Sequence, residues 1–212
     1  MAIEEEIKLT AASALVLDTV AQDGALLAKC QGTPIKTRHF LATYYDTPER
    51  HLLQNHLAFR MRQEQGGGLR ANLKGTGGPM VAGLAQRQEW EEMLSTPIAH
   101  WEELPAGEMR ERILAAVDPQ AALVPLFVTD FQRRVLLLQW EENRVEMALD
   151  QGEIRTDTQI HPLAEVELER LAGQGEAIRA LADDLMQRYP LTYSQRSKFG
   201  LGLALLGLDA EI

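Results

Sequence analysis

The residues that follow the first methionine, AIEEEIKLT, alternate polar and apolar positions with a period of two. Glu4, Glu6 and Lys8 fall on one side of such a strand and Ile3, Ile7 and Leu9 on the other, with Glu5 the one misfit. The same alternation recurs along the chain. It predicts strands over 2–9, 38–45, 57–64, 69–74, 87–93, 127–140, 144–154 and 165–171. Helical spacing predicts helices from Ala11 to about Asp23, over 98–117 with a break at Pro105, over 176–189 and over 197–208. Gly66 to Gly68 reads as a hairpin turn and Gly75 to Gly83 as a flexible, glycine-rich loop. Eight strands that mostly neighbour one another in sequence predict an α+β protein. Its centre would be an eight-stranded antiparallel β-barrel, a tunnel, with helices packed outside.

The faces of these strands are unusual. Arg60 and Arg62 share a side with Glu64, opposite Leu57, Phe59 and Met61. Arg70, Asn72 and Lys74 stand opposite Leu69, Ala71 and Leu73. Glu165, Glu167 and Glu169 alternate with Val166 and Leu168. A solvated polar face is the ordinary reading of any one such strand, but here two strands are nearly pure carboxylate and another carries paired arginines. Like charges two positions apart lie about 7 Å from each other. At that distance they repel by about 2 kcal/mol at an effective dielectric near 20, so an enclosed face of this kind calls for a cation. A barrel with helices outside requires the corresponding inversion, apolar side outward and charged side inward. Glu4, Glu6, Glu165 and Glu167 would then offer hard oxygen ligands to Mg²⁺ or Mn²⁺. Arg60, Arg62 and Lys74 would offer donors to phosphate oxygens.

Composition narrows the class. The 212 residues are 45% hydrophobic and 25% charged, ordinary for a soluble globular protein and long enough for one sizeable core. A net charge of −10 argues against a dedicated nucleic-acid binder, though a local cationic site can sit inside an acidic shell. The single cysteine, Cys30, excludes an internal disulfide framework. With no secretory leader and no apolar run long enough for a membrane span, a cytoplasmic location is expected. The histidines at 39, 51, 56, 100 and 161 lack metal-ligand spacing, and the glycine loop lacks the Gly-Lys-Ser/Thr of a Walker motif. Trp90, Trp101 and Trp140 read as packing between barrel and helices.

EEEIK contains a Glu-x-Glu-x-Lys pattern, and the chain resembles the CYTH superfamily, the triphosphate tunnel metalloenzymes. The supporting segments stand in family order: YYDTP at 44–48, FRMR at 59–62, LKG at 73–75, RQEWE at 87–91, TDFQRR at 129–134, ALDQGE at 148–153, EVELE at 165–169 and RSK at 196–198. The resemblance covers almost the whole chain, taken as a single domain over 1–212, and is nearest to the bacterial inorganic triphosphatases. In those, the domain precedes a helical domain called CHAD. Nothing after Leu208 resembles the start of that domain, and the sequence leaves open whether the chain stands alone or is the amino-terminal part of a longer one.

The resemblance implies a barrel that binds triphosphate with Mg²⁺ or Mn²⁺ and cleaves a phosphoanhydride bond. It implies metal ligands at Glu4, Glu6, Glu89, Asp150, Glu165 and Glu167. It implies phosphate contacts from Lys8, Arg60, Arg62, Lys74, Arg133 and Lys198, and Arg87 joins them by sharing parity with Glu89. Glu4, Glu6, Lys8 and Glu167 form the expected catalytic set. Of the adjacent arginines, Arg133 is chosen over Arg134, and the acidic pair 165/167 can also be read one step later as 167/169. The expected substrate is inorganic triphosphate, giving pyrophosphate and orthophosphate. Thiamine triphosphate hydrolysis, a class IV adenylyl cyclase and a non-catalytic polyphosphate- or nucleotide-binding module are the alternatives.

Overall fold

A computed structural model describes residues 2–75, 84–173 and 176–208, with the side chains of 2–4 and 84–87 excepted. The chain begins with β1 (Ala2–Ala11), α1 (Ala14–Ala21), α2 (Gly24–Lys29), β2 (Lys36–Asp46) and α3 (His51–Gln54). β3 (Leu57–Glu64), β4 (Gly68–Gly75) and β5 (Leu84–Leu94) follow, then a 3-10 turn at Trp101–Glu103 and α4 (Glu108–Ala116). The second half holds β6 (Val124–Trp140), β7 (Asn143–Arg155), β8 (Ile160–Ala172), α5 (Glu176–Arg188), β9 (Leu191–Tyr193) and α6 (Lys198–Leu205).

The strands form one antiparallel sheet in the order β5-β4-β3-β2-β6-β7-β8-β1-β9. A further pairing of β1 with β5, from Ala2 opposite Glu89 to Ile7 opposite Leu84, joins the first eight into a ring. The expected tunnel architecture therefore holds, with a short ninth strand added beside β1. At the β3–β4 hairpin, Gly66 and Gly68 adopt positive φ of 77° and 82°, which suits glycine, and Gly67 N–H closes the turn on Glu64 O at 3.0 Å. The predicted glycine-rich loop lies, from residue 76 to 83, outside the described residues.

The inversion of faces governs the packing. Ile7 and Leu9 of β1, Leu136 and Leu138 of β6, Met147 and Leu149 of β7 and Val166 and Leu168 of β8 point outward. They bury against Leu17 and Val20 of α1, Leu26 of α2 and Ile178, Leu181 and Leu185 of α5. On the other side, Phe59, Ala71, Leu73 and Trp90 pack against Leu52, Trp101, Met109 and Ile113. Each such side chain gains about 1.5–3 kcal/mol by leaving water, so sliding any strand by one residue is prohibitive. Glu5, the misfit of the first strand, belongs to this outer side and is held by Arg170 Nε at 2.6 Å.

Two expectations need correction. First, the interior is not charged throughout. Phe40, Tyr44, Phe127, Phe131, Ile154 and Leu163 form an apolar cluster there. Second, α6 does not join the outer helices. It sets Phe199 and Leu203 into that cluster, and a Cβ on Gly202 would lie 2.3 Å from the Phe127 ring. The predicted helix over 98–117 divides into the 3-10 turn and α4, as the break at Pro105 implies.

Candidate active site

Two unlike walls face each other inside the ring. One is built by β1, β7, β8, β6 and the start of α6. Cross-strand register places Lys8 opposite Glu167, Asp150 opposite Glu165 and Arg133 opposite Asp150. Lys8 Nζ donates to Glu167 Oε1 at 2.6 Å and lies 3.2 Å from Glu6. Arg133 grips Asp150 with both ends of its fork, Nε at 2.7 Å and a terminal nitrogen at 2.6 Å, and also bonds Glu167. Ser197 caps α6 by accepting from Gly200 N–H, which points Lys198 inward at Asp150, Glu165 and Glu167.

Burial opposes the charges of Lys8, Arg133, Lys198 and Glu167, and their neighbours more than offset it. Lys8 is held above its ordinary value by Glu167 and Glu6, and Lys198 well above by Asp150, Glu165 and Glu167. Arg133 is likewise raised by Asp150 and Glu167. Glu167 is pushed well below the usual carboxylate range by Lys198, Lys8 and Arg133. Lys8, Arg133, Lys198 and Glu167 are thus ionised at neutral pH.

The opposite wall comes from β3, β4 and β5. Arg60 donates to Tyr44 Oη at 3.1 Å, Arg62 to Glu91 at 3.2 Å, and Lys74 lies 3.2 Å from Glu89. Asn72 bridges toward Glu91 at 2.7 Å. The Nε groups of Arg60 and Arg62 are buried with no hydrogen-bond partner among the described residues. Burial lowers the Arg62 pKa, and repulsion from Arg60 lowers it further against the pull of Glu91, to about 10. The guanidinium stays charged and shares Glu91 with Arg70.

A cavity of about 620 Å³ separates the walls. Nine of the expected residues line it: Glu6, Lys8, Arg60, Arg62 and Lys74, with Glu89, Arg133, Glu167 and Lys198. The side chains of Glu4 and Arg87 lie outside the described residues, although the β1–β5 register sets the two backbones opposite each other. Asp150 and Glu165 stand apart from these nine. They are 0% and 2% exposed and sit behind the cavity wall, engaged by Arg133 and Lys198. Glu169, opposite Glu6 on the neighbouring strand, lines the cavity, so the later pair 167/169 is the one that faces it. Arg133 lines the cavity, whereas Arg134 turns outward to Asp18 of α1 at 2.9 Å.

Sequence reasoning missed several lining residues. Asn72, Glu91 and Glu169 continue alternations already visible and could have been included on parity alone. Tyr44, Phe40 and Phe131 sit on strands with little charge, and Glu108 and Met109 arrive on α4 by tertiary packing. Of the discounted residues, His39 pairs with Asp130 at 2.6 Å and Cys30 is buried beside Leu26 O, whereas Trp90 lines the cavity.

Among the described residues, oxygens of Asp150, Glu165 and Glu167 lie within 4.8 Å of one another, a spacing that a hard divalent cation could span. Glu6, Glu167, Glu169 and Glu89 bring carboxylate oxygens to one cavity that also holds phosphate-type donors. A family model of the CYTH domain matches residues 2–199. The chain belongs to the CYTH family. An inorganic triphosphatase of Haemophilus influenzae is 30% identical over 163 residues, which are 77% of this chain and 45% of that protein. The match thus spans about half the length of that relative. Among solved structures, a Hippeastrum adenylyl cyclase candidate with a dominant triphosphatase activity superposes with a TM-score of 0.65. It is 20% identical, and the match covers 95% of each chain. The triphosphatase of the Mimivirus capping enzyme superposes at 0.53 with 7% identity, over 87% of this chain and 89% of that one. These two likenesses establish the shared fold. No helix among the described residues is long and apolar enough to cross a membrane.

Proposed function

We propose that this CYTH domain is a metal-dependent triphosphatase that hydrolyses inorganic triphosphate to pyrophosphate and orthophosphate. One observation carries the reading: a single cavity joins a carboxylate edge to a wall on which the Nε groups of Arg60 and Arg62 are buried with no hydrogen-bond partner among the described residues. A triphosphate laid along Arg60, Arg62 and Lys74 supplies acceptors for those nitrogens, and the planar guanidinium fork suits its oxygens. Lys8, with one donor on Glu167, reaches the same cavity from the other side. Glu6 and Glu167, joined by Glu169, Glu89 and, from its place on β1, Glu4, would hold Mg²⁺ or Mn²⁺. Bound there, the metal would neutralise phosphate charge and acidify a water. The residues themselves orient the substrate and stabilise charge on the leaving pyrophosphate, which is most of what phosphoanhydride cleavage requires.

The Haemophilus relative supports the inorganic substrate. The aromatic residues of the cavity favour it over a nucleotide. Arg62 lies over the Phe40 ring at 5.1 Å, Arg60 over Tyr44 at 5.8 Å and Arg133 over Phe131 at 5.8 Å. These rings therefore carry guanidiniums rather than an open platform for a base. The test is to give the purified protein tripolyphosphate, ATP and thiamine triphosphate, each with Mg²⁺, with Mn²⁺ or with chelator. Orthophosphate and pyrophosphate in equal amounts from tripolyphosphate, only with metal, is the expected result. Cyclic AMP, or binding without turnover, overturns it.

A further inference from the structure

The arginine wall carries an anion of its own. Glu91 reaches into the cavity from β5, and its carboxylate takes donors from three side chains. Arg62 reaches Oε2 at 3.2 Å, Asn72 Nδ2 reaches the same oxygen at 2.7 Å, and Arg70 holds Oε1. Register explains the grouping. Arg62 stands directly opposite Arg70 across β3 and β4, and Asn72 opposite Glu91 across β4 and β5. Two like charges face to face on a ladder repel, and one carboxylate between them relieves both. The same converging donors would equally suit the oxygens of a phosphate.

The order of charges along the wall gives this grouping a direction. Lys74, Arg60 and Arg62 follow one another toward the β3–β4 hairpin. The next inward position on β3 is Glu64, which is buried and bonded to Arg38. The cationic track therefore ends in carboxylates, with Glu91 at Arg62 and Glu64 beyond it. At the other end, Ala58 opposite Lys74 belongs to the apolar cluster of Phe127 and Phe199. A phosphate chain is bounded there by hydrocarbon and at Arg62 by negative charge. Lengthened past Arg62, it would set its next phosphate against the Glu91 carboxylate.

We infer that Glu91 is a specificity-determining residue: by engaging Arg62 and Arg70 with its own carboxylate, it ends the phosphate track and discriminates against polyphosphates longer than triphosphate. This rests on the triphosphatase reading above and names the residue that limits the length of its substrate. An anion that extends past Arg62 meets a fixed negative charge and finds Arg70 already engaged. Neutralising Glu91 removes the repulsion and frees Arg70 as a further phosphate contact.

The test compares tripolyphosphate with linear tetrapolyphosphate on the intact protein. Dissociation constants are read by calorimetric titration in chelator, where metal-dependent turnover is off, and initial rates are read separately with Mg²⁺. The wild type should bind tripolyphosphate the more tightly, and the isosteric Glu91→Gln should narrow that preference by at least about tenfold. Arg70→Met breaks the same contact but leaves the carboxylate less compensated, so the preference should hold or widen. A purely structural role for the Glu91–Arg70 pair would instead move both variants alike, with equal losses for the two ligands and a matching fall in melting temperature. A wild type without preference, an unchanged preference in Glu91→Gln, or the same narrowing in Arg70→Met overturns the inference. Because affinity is measured without turnover, a wild type that shows the expected preference but hydrolyses neither chain would sink the functional reading alone.

Discussion

The two walls of the cavity use the same residue types to opposite ends. On the β1–β7–β8 side, each buried charge has found its complement within the chain, down to the forked grip of Arg133 on Asp150. On the β3–β4–β5 side, Arg60 and Arg62 are half-buried, and their Nε groups have no partner among the described residues. A saturated ion cluster contributes definition of shape, because removing one partner strands another charge away from water. An unsaturated wall contributes binding, because its repulsion is relieved when an anion arrives. Charge content alone does not distinguish the two. Partnership does.

The largest effect should come from breaking the saturated side. Arg133→Ala leaves Asp150, 0% exposed, and Glu167 short of a cation, and should cost about 3–5 kcal/mol in denaturant unfolding. A loss below 1 kcal/mol would mean that the cluster is not a framework. Packing at the apolar end comes next. Gly202→Ala forces a methyl into the Phe127 ring and should lower stability by about 1–3 kcal/mol.

A third change lies outside both walls and serves as a control. Asp23 caps α2, accepting from Ala25 N–H at 2.7 Å, and also bonds Tyr189 Oη and Arg188. Burial opposes its charge, but the Tyr189 hydroxyl, the helix N–H groups and Arg188 lower its pKa to about 2. A depressed carboxyl stabilises the fold fully above its unfolded value near 3.8, and that contribution fades as pH falls through 2. Asp23→Ala should therefore cost about 1 kcal/mol at pH 7, and the gap between variant and wild type should close in acid. The smallest effect on stability should belong to the unsaturated wall. Arg62→Ala removes a cation held against its neighbours and should change the unfolding free energy by less than about 1 kcal/mol.

Much of the ring was legible because period-two alternation with inverted faces leaves few other folds. What escaped was short or non-local. α2, α3 and β9 are six, four and three residues long, too brief for a periodic signal. The apolar end of the interior was hidden because Phe40, Phe131 and Ile154 look like any outward-facing hydrophobic residue in one dimension. Parity placed Glu165, Glu167 and Glu169 on one face but could not say which two reach the cavity, since that depends on where α6 enters. Lys198 stood out only through the RSK segment, because its three carboxylate neighbours come from strands 31 to 48 residues away.

The account is tested most directly by calorimetric titration of tripolyphosphate with Mg²⁺ into the wild type and into the Arg60→Ala, Arg62→Ala double variant. Each guanidinium–phosphate contact is worth about 1.5–3 kcal/mol, so affinity should fall at least about 100-fold while the melting temperature barely moves. Unchanged affinity in the double variant would show that the arginine wall is not where the phosphates lie.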